Sequence, residues 1–411
     1  MRMKKFNRIL ERIIEGGFTV SGALTSIVML LIVVFLFNEG IGLFQSPSVE
    51  KGYSLYVHSD NTVTDLSTPE IKQIFDSNIT NWKEVGGEDR EIEIFRFEEI
   101  FNFYAEEELG EDYVLLPEKL GEVIAQNKNI IAYLPQQYGP NEIAGVKVLP
   151  INTISLSDFF GGKEWIPTAT PAPLFGVLPL ILGTLLVSFF AILIALPLGL
   201  GVAIYLSELA GDRIPKYLKP TIELLAGIPS VVYGFFGLVV LVPIVQNTFG
   251  LAVGETAFTG SIILAIMALP TIISVAEDAM RNTPREMREA SLALGATKSQ
   301  TIYKVVIPYA KSGISAAASG VSAAVVLGIG RAIGETMAVL MVTGNAAVMP
   351  STLFEPIRTI PATIAAELGE APADSAHYQS LFLLGCILFV ITMIISITAE
   401  VISKRHRTKE L

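Results

Sequence analysis

Apolar residues are concentrated in six long stretches of the chain, which polar segments separate. A helix that crosses the hydrocarbon core of a membrane needs about 20 apolar residues. The pattern therefore predicts six membrane-spanning helices, at Thr19–Phe44, Leu174–Leu206, Leu224–Val245, Ser261–Ala276, Ala316–Gly344 and Leu381–Val401. The fourth stretch is short, and we expect its helix to gain a turn from Glu277–Arg281 or from the residues before it.

A different pattern lies between the first and second stretches, where short apolar runs alternate with polar ones. The runs predict four strands, at Ser54–His58, Ile92–Phe95, Ile130–Leu134 and Val146–Leu149. Two helices are predicted between them, at Ser67–Phe75, with Ser67 or Thr68 as the N-cap, and at Leu116–Gln126. Such alternation is typical of a small α/β unit, which we assign to residues 45–165, before a proline-rich linker at 166–173.

The fold class that these patterns predict is an α-helical polytopic membrane protein with a small extracytoplasmic α/β domain inserted after the first span. Residues 19–44 form the first transmembrane helix, and residues 174–403 form a core of five spans. Hydrophobic residues make up 51% of the chain, which agrees with a membrane protein. We expect the first span not to be cleaved, since it is too long for a signal peptide and no small-x-small site follows it.

Basic residues predict the orientation of the spans. Lys and Arg are frequent at the N-terminus, in the segments that join spans two and three and spans four and five, and in the tail. In contrast, Asn247–Gly260 contains none and Asn345–Tyr378 contains only Arg358. Because basic loops are retained in the cytoplasm, residues 1–18 and 404–411 are both predicted to be cytoplasmic.

The net charge of −11 is unevenly distributed along the chain. Residues 45–173 contain 9 Lys and Arg against 22 Asp and Glu, a net charge of −13, so the outward domain is acidic and the rest is nearly neutral. We expect a lipid membrane to surround this chain, and we expect no nucleic acid to bind it. The single cysteine, Cys386, lies in the last span, so no intramolecular disulfide can form.

The loop at 283–308 has the signals of two short helices joined at a glycine. Thr283 as N-cap, Pro284 in the first turn and Glu286 predict the start of the first helix. Gly295 predicts a left-handed stop. Thr297 with Gln300 predicts a second capped helix, which we expect to end at Pro308. The loop is predicted to be an elbow at the cytoplasmic surface.

The elbow resembles the EAA loop of ABC importer permeases through Glu289-Ala290-Ser291, Gly295, Val305 and Ile307-Pro308. This resemblance implies a coupling helix that binds in a groove of a cytoplasmic ATPase, with Glu289, Ala290 and Gly295 in the coupling segment. The chain has no GxxxxGK[ST] phosphate loop. We therefore expect no enzyme activity and no directly bound cofactor, with ATP and Mg²⁺ held by a separate partner chain.

Arg331 and Glu335 lie inside the fifth apolar stretch, where charges are costly. Their i, i+4 spacing predicts that they share one helix face and form a pair. Charges inside a membrane usually mark a transport path, although a salt bridge that only stabilises the bundle is the alternative. An arginine fork suits a tetrahedral oxyanion such as phosphate.

The sequence around this pair, GRAIGETMAV followed by TGN, resembles the PstC-type permease subunit of bacterial phosphate ABC importers. Glu223–Leu238 resembles the same family, and the resemblance covers about residues 170 to 405. It implies that Arg331 and Glu335 lie on the phosphate path. It also implies a bacterial inner-membrane location and three partners: a second permease subunit in a heterodimer, an ATPase dimer and an extracytoplasmic phosphate-binding protein.

The outward domain resembles periplasmic phosphate-binding proteins in Leu66–Arg96 and in Ile130–Ile151. In that family a Ser-Gly-Thr phosphate loop follows the strand arginine, whereas Phe97-Glu98-Glu99 follows Arg96 here. We interpret the domain as a degenerate single lobe that does not bind phosphate tightly. Whether it docks the true binding protein or serves only as a spacer stays open at this point.

Two other functions remain compatible with the sequence. The first is a permease for another oxyanion, such as sulfate or molybdate, since an arginine alone does not separate these ions. The second is a membrane-anchored sensor whose outward domain binds a ligand. The elbow argues against the sensor, because a sensor needs no segment that docks an ATPase.

Overall fold

The computed structural model describes residues 2–140, 143–211, 213–312 and 320–407. Residues 316–319 of the predicted fifth span and 408–411 of the predicted tail lie outside the described residues. In the described part the α-helices are α1 (Arg2–Ile41), α2 (Thr68–Phe75), α3 (Leu116–Gln126), α4 (Leu156–Gly161), α5 (Leu178–Ile204), α6 (Arg213–Ala226), α7 (Ser230–Phe236), α8 (Val242–Phe249), α9 (Ala257–Arg281), α10 (Arg285–Ala293), α11 (Lys298–Thr301), α12 (Ile307–Ser312), α13 (Gly320–Gly334), α14 (Met337–Val342), α15 (Ile360–Glu367) and α16 (Ala376–Arg407).

Five helical segments of the described chain are long and apolar enough to cross a membrane: Ile14–Gln45, Leu178–Leu209, Ser230–Phe249, Ala257–Arg281 and Ala376–Thr398. The helices α5 and α9 pack along each other at the centre, and α13, α14 and α7 pack around them. Helix α1 lies against α16 at the periphery. The short fourth stretch gains residues at both ends, as expected, because α9 includes Glu277–Arg281.

The predicted third span begins later than the sequence indicated. Leu224 and Leu225 end α6 instead, and the chain turns at Gly227 before α7 starts after Pro229. Pro229 has an extended backbone, with ψ at 141°, which is incompatible with a continuous helix. The span then passes through a π-turn at Gly237–Leu241 into α8.

The prediction of one continuous fifth span is wrong. Helix α13 ends at Gly334, Glu335 and Thr336 belong to neither helix, and α14 is a separate short helix. The Thr336 hydroxyl donates to the Gly334 carbonyl at 3.2 Å. The Glu335 carboxylate accepts from the Ala338 amide at 3.4 Å. These side chains satisfy backbone groups that a continuous helix would have paired internally.

The outward domain contains one sheet with the strand order β2–β3–β1–β4, where the strands are β1 (Tyr53–His58), β2 (Glu93–Arg96), β3 (Ile130–Pro135) and β4 (Val146–Leu149). β1 is antiparallel to β3 and β4, and β2 is parallel to β3. All four predicted strands and both predicted helices are confirmed. Ser67 is the N-cap of α2, and its amide donates to the Glu70 carboxylate at 2.8 Å.

Alternation along β1 creates two cores, one on each face of the sheet. Leu55 and Val57 pack with Trp82 and the apolar face of α2. Tyr56 packs on the opposite face with Phe95 and the apolar residues of α3. Each core contains large side chains that are almost completely buried, so the two faces together stabilise the domain through burial of apolar surface.

The segment that leads from the domain back to the membrane helices is ordered and packs against the rest of the protein. Two short antiparallel strands, β5 (Trp165–Ile166) and β6 (Leu174–Phe175), enclose the segment predicted as a linker. Ala172 from that segment is buried in the core of the domain. Phe159 and Trp165 are buried in a separate cluster with Leu43 and with residues of α5, α15 and α16.

A half-buried carboxylate, Glu367, fixes this junction. It accepts from Arg358 Nη1 at 2.6 Å and from Trp165 Nε1 at 3.0 Å, and His377 Nε2 lies 2.9 Å from it. Burial raises the pKa of this carboxyl, but the hydrogen bonds from His377 and Trp165 and the charge of Arg358 outweigh burial and leave the pKa below its usual range. Trp165 thereby ties the outward domain to α15 and α16.

Candidate functional site

Arg331 lies three residues before the end of α13, and its side chain is half-buried. Its Nη1 donates to Thr271 Oγ1 on α9 at 3.3 Å. This is the single hydrogen bond of Arg331 to another described residue. A guanidinium has five N–H donors, so most of them lack a partner within the described protein.

Glu335 does not form the predicted pair with Arg331. The structure contains no ion pair between these two described residues, because α13 ends between them and i, i+4 geometry no longer applies. The Glu335 carboxylate caps α14 instead. The charge of Arg331 is therefore not neutralised by the carboxylate that the sequence indicated.

Two residues on the helices that pack against α13 and α14, Thr271 on α9 and Tyr233 on α7, were not predicted from the sequence. Thr271 is 60 positions away on another helix. Its signal in the sequence is a hydroxyl directly after Pro270 in an apolar span. Tyr233 is nearly buried and donates to the Leu225 carbonyl at 2.9 Å, across the turn that separates α6 from α7.

Close packing of α7 on α14 defines one wall of the site. A Cβ atom added to Gly234 would lie 3.0 Å from Ala338 Cα and 2.8 Å from Met341 Sδ. One added to Gly237 would lie 2.8 Å from Val342 Cγ1. These glycines let the half-helix after the break approach the third span more closely than any larger residue permits.

The elbow has the predicted form, with differences at both ends. Helix α10 is followed by Gly295 with φ at +87°, and Thr297 with Gln300 forms the predicted capping box of α11. Glu289 and Ala290 are exposed, as are Met287 and Leu294, the latter at 89%. Charged and apolar groups thus share one free surface, which is suited to bind another protein.

Both end signals of the elbow were misread. Pro284, not Thr283, is the N-cap of α10. The Thr283 hydroxyl, which an N-cap would use, is buried and has no partner among the described residues. The Thr283 carbonyl instead accepts a hydrogen bond from Arg288. Pro308 does not end the second helix. A π-turn at Ile302–Val306 precedes it, and Pro308 then lies in the first turn of α12, where a missing N–H is tolerated.

Comparison with known proteins assigns the family. Residues 195–408 match the model described as "Binding-protein-dependent transport system inner membrane component". The chain is 40% identical over 265 residues to the probable ABC transporter permease protein YqgH of Bacillus subtilis, which covers 64% of this chain and 83% of that protein. It is 41% identical over 256 residues to the phosphate transport system permease protein PstC of Mesorhizobium japonicum, covering 58% of this chain and 75% of the relative.

Among solved structures, a putative phosphate ABC transporter substrate-binding protein with bound phosphate from Clostridium perfringens is 26% identical, over 26% of this chain and 47% of that chain, with a TM-score of 0.19. That similarity carries no conclusion about the fold. The resemblance to PstC-type permeases is confirmed by the relatives. The chain belongs to the family of binding-protein-dependent transport system inner membrane components.

Proposed function

We propose that this protein is the permease subunit of an ATP-driven importer of inorganic phosphate and forms part of the translocation path. The observation that supports this most is Arg331, a half-buried charge on the apolar helix α13 that no described carboxylate neutralises. Its free N–H groups can bind a tetrahedral oxyanion transiently. Glu335 orders the start of α14 beside that path.

The remaining parts of the importer follow from the family and from the elbow. The exposed surface around Glu289, Ala290 and Gly295 docks a cytoplasmic ATPase dimer, which binds ATP and Mg²⁺. A second permease subunit completes the path as a heterodimer, and an extracytoplasmic phosphate-binding protein delivers the ion. Both termini of the chain are cytoplasmic in this arrangement, and the membrane is the bacterial inner membrane.

Uptake of radiolabelled phosphate tests the proposal. Cells that lack this chain and its relatives should take up phosphate slowly and recover when the chain is restored. Unlabelled sulfate and molybdate, added in excess, should not reduce this uptake. Strong competition by either ion would replace phosphate with that oxyanion as the cargo. Co-purification of an ATPase with the chain separates a transporter from a membrane-anchored sensor.

The outward domain is expected to bind no phosphate of its own. The amide of Arg96, at the end of β2, donates to the Glu99 carboxylate at 2.9 Å, and the Arg96 side chain donates to the Phe75 carbonyl. A carboxylate of the protein therefore occupies the position at which the resemblance implies a phosphate loop. Together with the net charge of −13 over residues 45–173, this disfavours an anionic ligand.

Titration calorimetry on residues 47–153 checks this expectation. This piece contains almost all of both cores and is closed by pairing of Pro47 with Thr153. No heat of binding should appear with millimolar phosphate, while circular dichroism shows the piece folded. Micromolar binding would contradict the degenerate-lobe interpretation and indicate a tethered receptor.

A deletion tests what the domain does instead. The Ser48 amide donates to the Asn152 carbonyl at 2.8 Å, so the chain enters and leaves the domain at one place. Residues 49–151 can therefore be replaced by a short Gly-Ser turn without moving Ser48 away from Asn152. We expect this variant to bind the ATPase normally but to accept phosphate poorly from the binding protein. Normal delivery would mean that the domain is a spacer.

A further inference from the structure

The side chain of Arg288 on α10 is hydrogen-bonded to residues at the ends of two membrane helices. Its Nη1 donates to the Thr283 carbonyl at 2.7 Å, and its Nη2 donates to the Met280 carbonyl at 2.8 Å. Nη2 also lies 2.7 Å from Glu208 Oε1. Only 20% of the Arg288 side chain and 8% of the Glu208 side chain are exposed.

These partners belong to the cytoplasmic ends of the two central helices. Met280 lies in the last turn of α9, where carbonyls have no partner within the helix and a cation is favourable. Glu208 lies in the π-turn Tyr205–Leu209, which continues α5. One guanidinium therefore joins the elbow to α5 and α9 at the same time.

The helix α9 leads directly to the candidate path. Thr271, which accepts the hydrogen bond of Arg331, lies nine residues before Met280, or about 13 Å along the helix at 1.5 Å per residue. Between these points α9 packs tightly on α5, since a Cβ added to Gly199 would lie 2.7 Å from Ile272 Cγ2. Displacement of one end of this packed pair therefore moves the other end.

We propose that Arg288 is a positioning residue that passes movement of the elbow, through α9 and Thr271, to Arg331. The inference rests on the proposed transport function and names the connection within this chain. The Ser291 and Thr301 hydroxyls, 2.9 Å apart, hold α10 and α11 together, so the elbow moves as one piece. Arg288 then carries that movement to the bundle.

The matched control is Arg285, three residues earlier on the same helix. It is exposed and has no hydrogen bond or ion pair to another described residue. Arg285→Gln removes the same charge from the same helix without disturbing α5 or α9. Glu208→Gln removes the ion pair and leaves both carbonyl bonds of Arg288 in place.

The test measures phosphate transported per ATP hydrolysed by the purified complex in liposomes. Arg288→Gln should lower this ratio about tenfold while the complex assembles and hydrolyses ATP within about twofold of wild type. Arg288→Lys should restore part of the ratio, and Glu208→Gln and Arg285→Gln should each lower it less than Arg288→Gln.

An unchanged ratio in Arg288→Gln, or an equal loss in Arg285→Gln, would overturn the inference. If the Arg288→Gln complex does not assemble, Glu208→Gln becomes the test. An intact Glu208→Gln complex must then transport less phosphate per ATP than wild type for the inference to stand. A wild-type complex that carries a different oxyanion would refute phosphate as the cargo, and the same ratios would then be measured with that ion. The two proposals therefore fail separately.

Discussion

Replacing Arg331 with glutamine should abolish phosphate uptake while the amount of protein in the membrane stays near normal. Glutamine removes the charge and the planar fork but keeps a polar, uncharged side chain. Loss of a charge that binds an ion inside a protein costs about 2–5 kcal/mol, so uptake should fall at least about 30-fold. Folding should be little affected, because the side chain makes one long hydrogen bond of 3.3 Å.

Initial rates of radiolabelled phosphate uptake, normalised to the membrane level of the protein, measure this effect. Arg331→Lys retains the charge without the fork and should keep a small part of the activity. Arg358→Gln is the contrasting control, since Arg358 is bonded to the Asn345 carbonyl and to Glu367. That variant should lower the protein level. Normal uptake by Arg331→Gln would remove Arg331 from the path.

The second large effect is expected at Gly295, where valine should uncouple ATP hydrolysis from uptake. The backbone φ of +87° strongly disfavours a β-branched residue, and the strain costs about 1–3 kcal/mol. A Cβ at this position would meet no other atom within 4 Å, so the effect comes from the backbone and not from a clash. Rotation of α10 against α11 would displace the exposed surface around Glu289.

Gly295→Asn separates strain from the loss of glycine, because asparagine tolerates the left-handed conformation. It should retain most of the uptake, whereas Gly295→Val should lose about 90% of the uptake per ATP or bind the ATPase weakly. Uptake and ATP hydrolysis are measured on the same preparation, with co-purification as the assembly assay. Full transport by an intact Gly295→Val complex would disprove the docking role of the elbow.

Local signals in the sequence were sufficient for the elements whose structure depends on neighbouring residues. The alternation in β1 places Leu55 and Val57 on one face and Tyr56 on the other, as the structure does. The left-handed turn at Gly295 and the capping box at Thr297 depend on a few consecutive residues. Such features can be recognised without knowledge of the fold.

Features that depend on distant residues were misread or missed. A hydropathy pattern is read over many residues, so it does not reveal the two residues that break the fifth span. The close packing of α14 against Gly234 is a contact between distant parts of the chain, which the local sequence does not show. The i, i+4 spacing of Arg331 and Glu335 has meaning only in an unbroken helix. Thr271 and Glu208 are separated in sequence from the arginines that they contact by 60 and 80 positions.

The break between α13 and α14 has a consequence for hydration. Backbone outside a helix is tolerated at the depth of the spans only where protein buries it or water reaches it. Gly334 is exposed and Glu335 and Thr336 are half-exposed, so we expect water to reach this point from the path. A phosphate ion beside Arg331 would then exchange only part of its hydration shell for the guanidinium. Release of the ion would then require the return of only a few water molecules. Such weak, reversible binding suits a transport path, which must release phosphate as well as bind it.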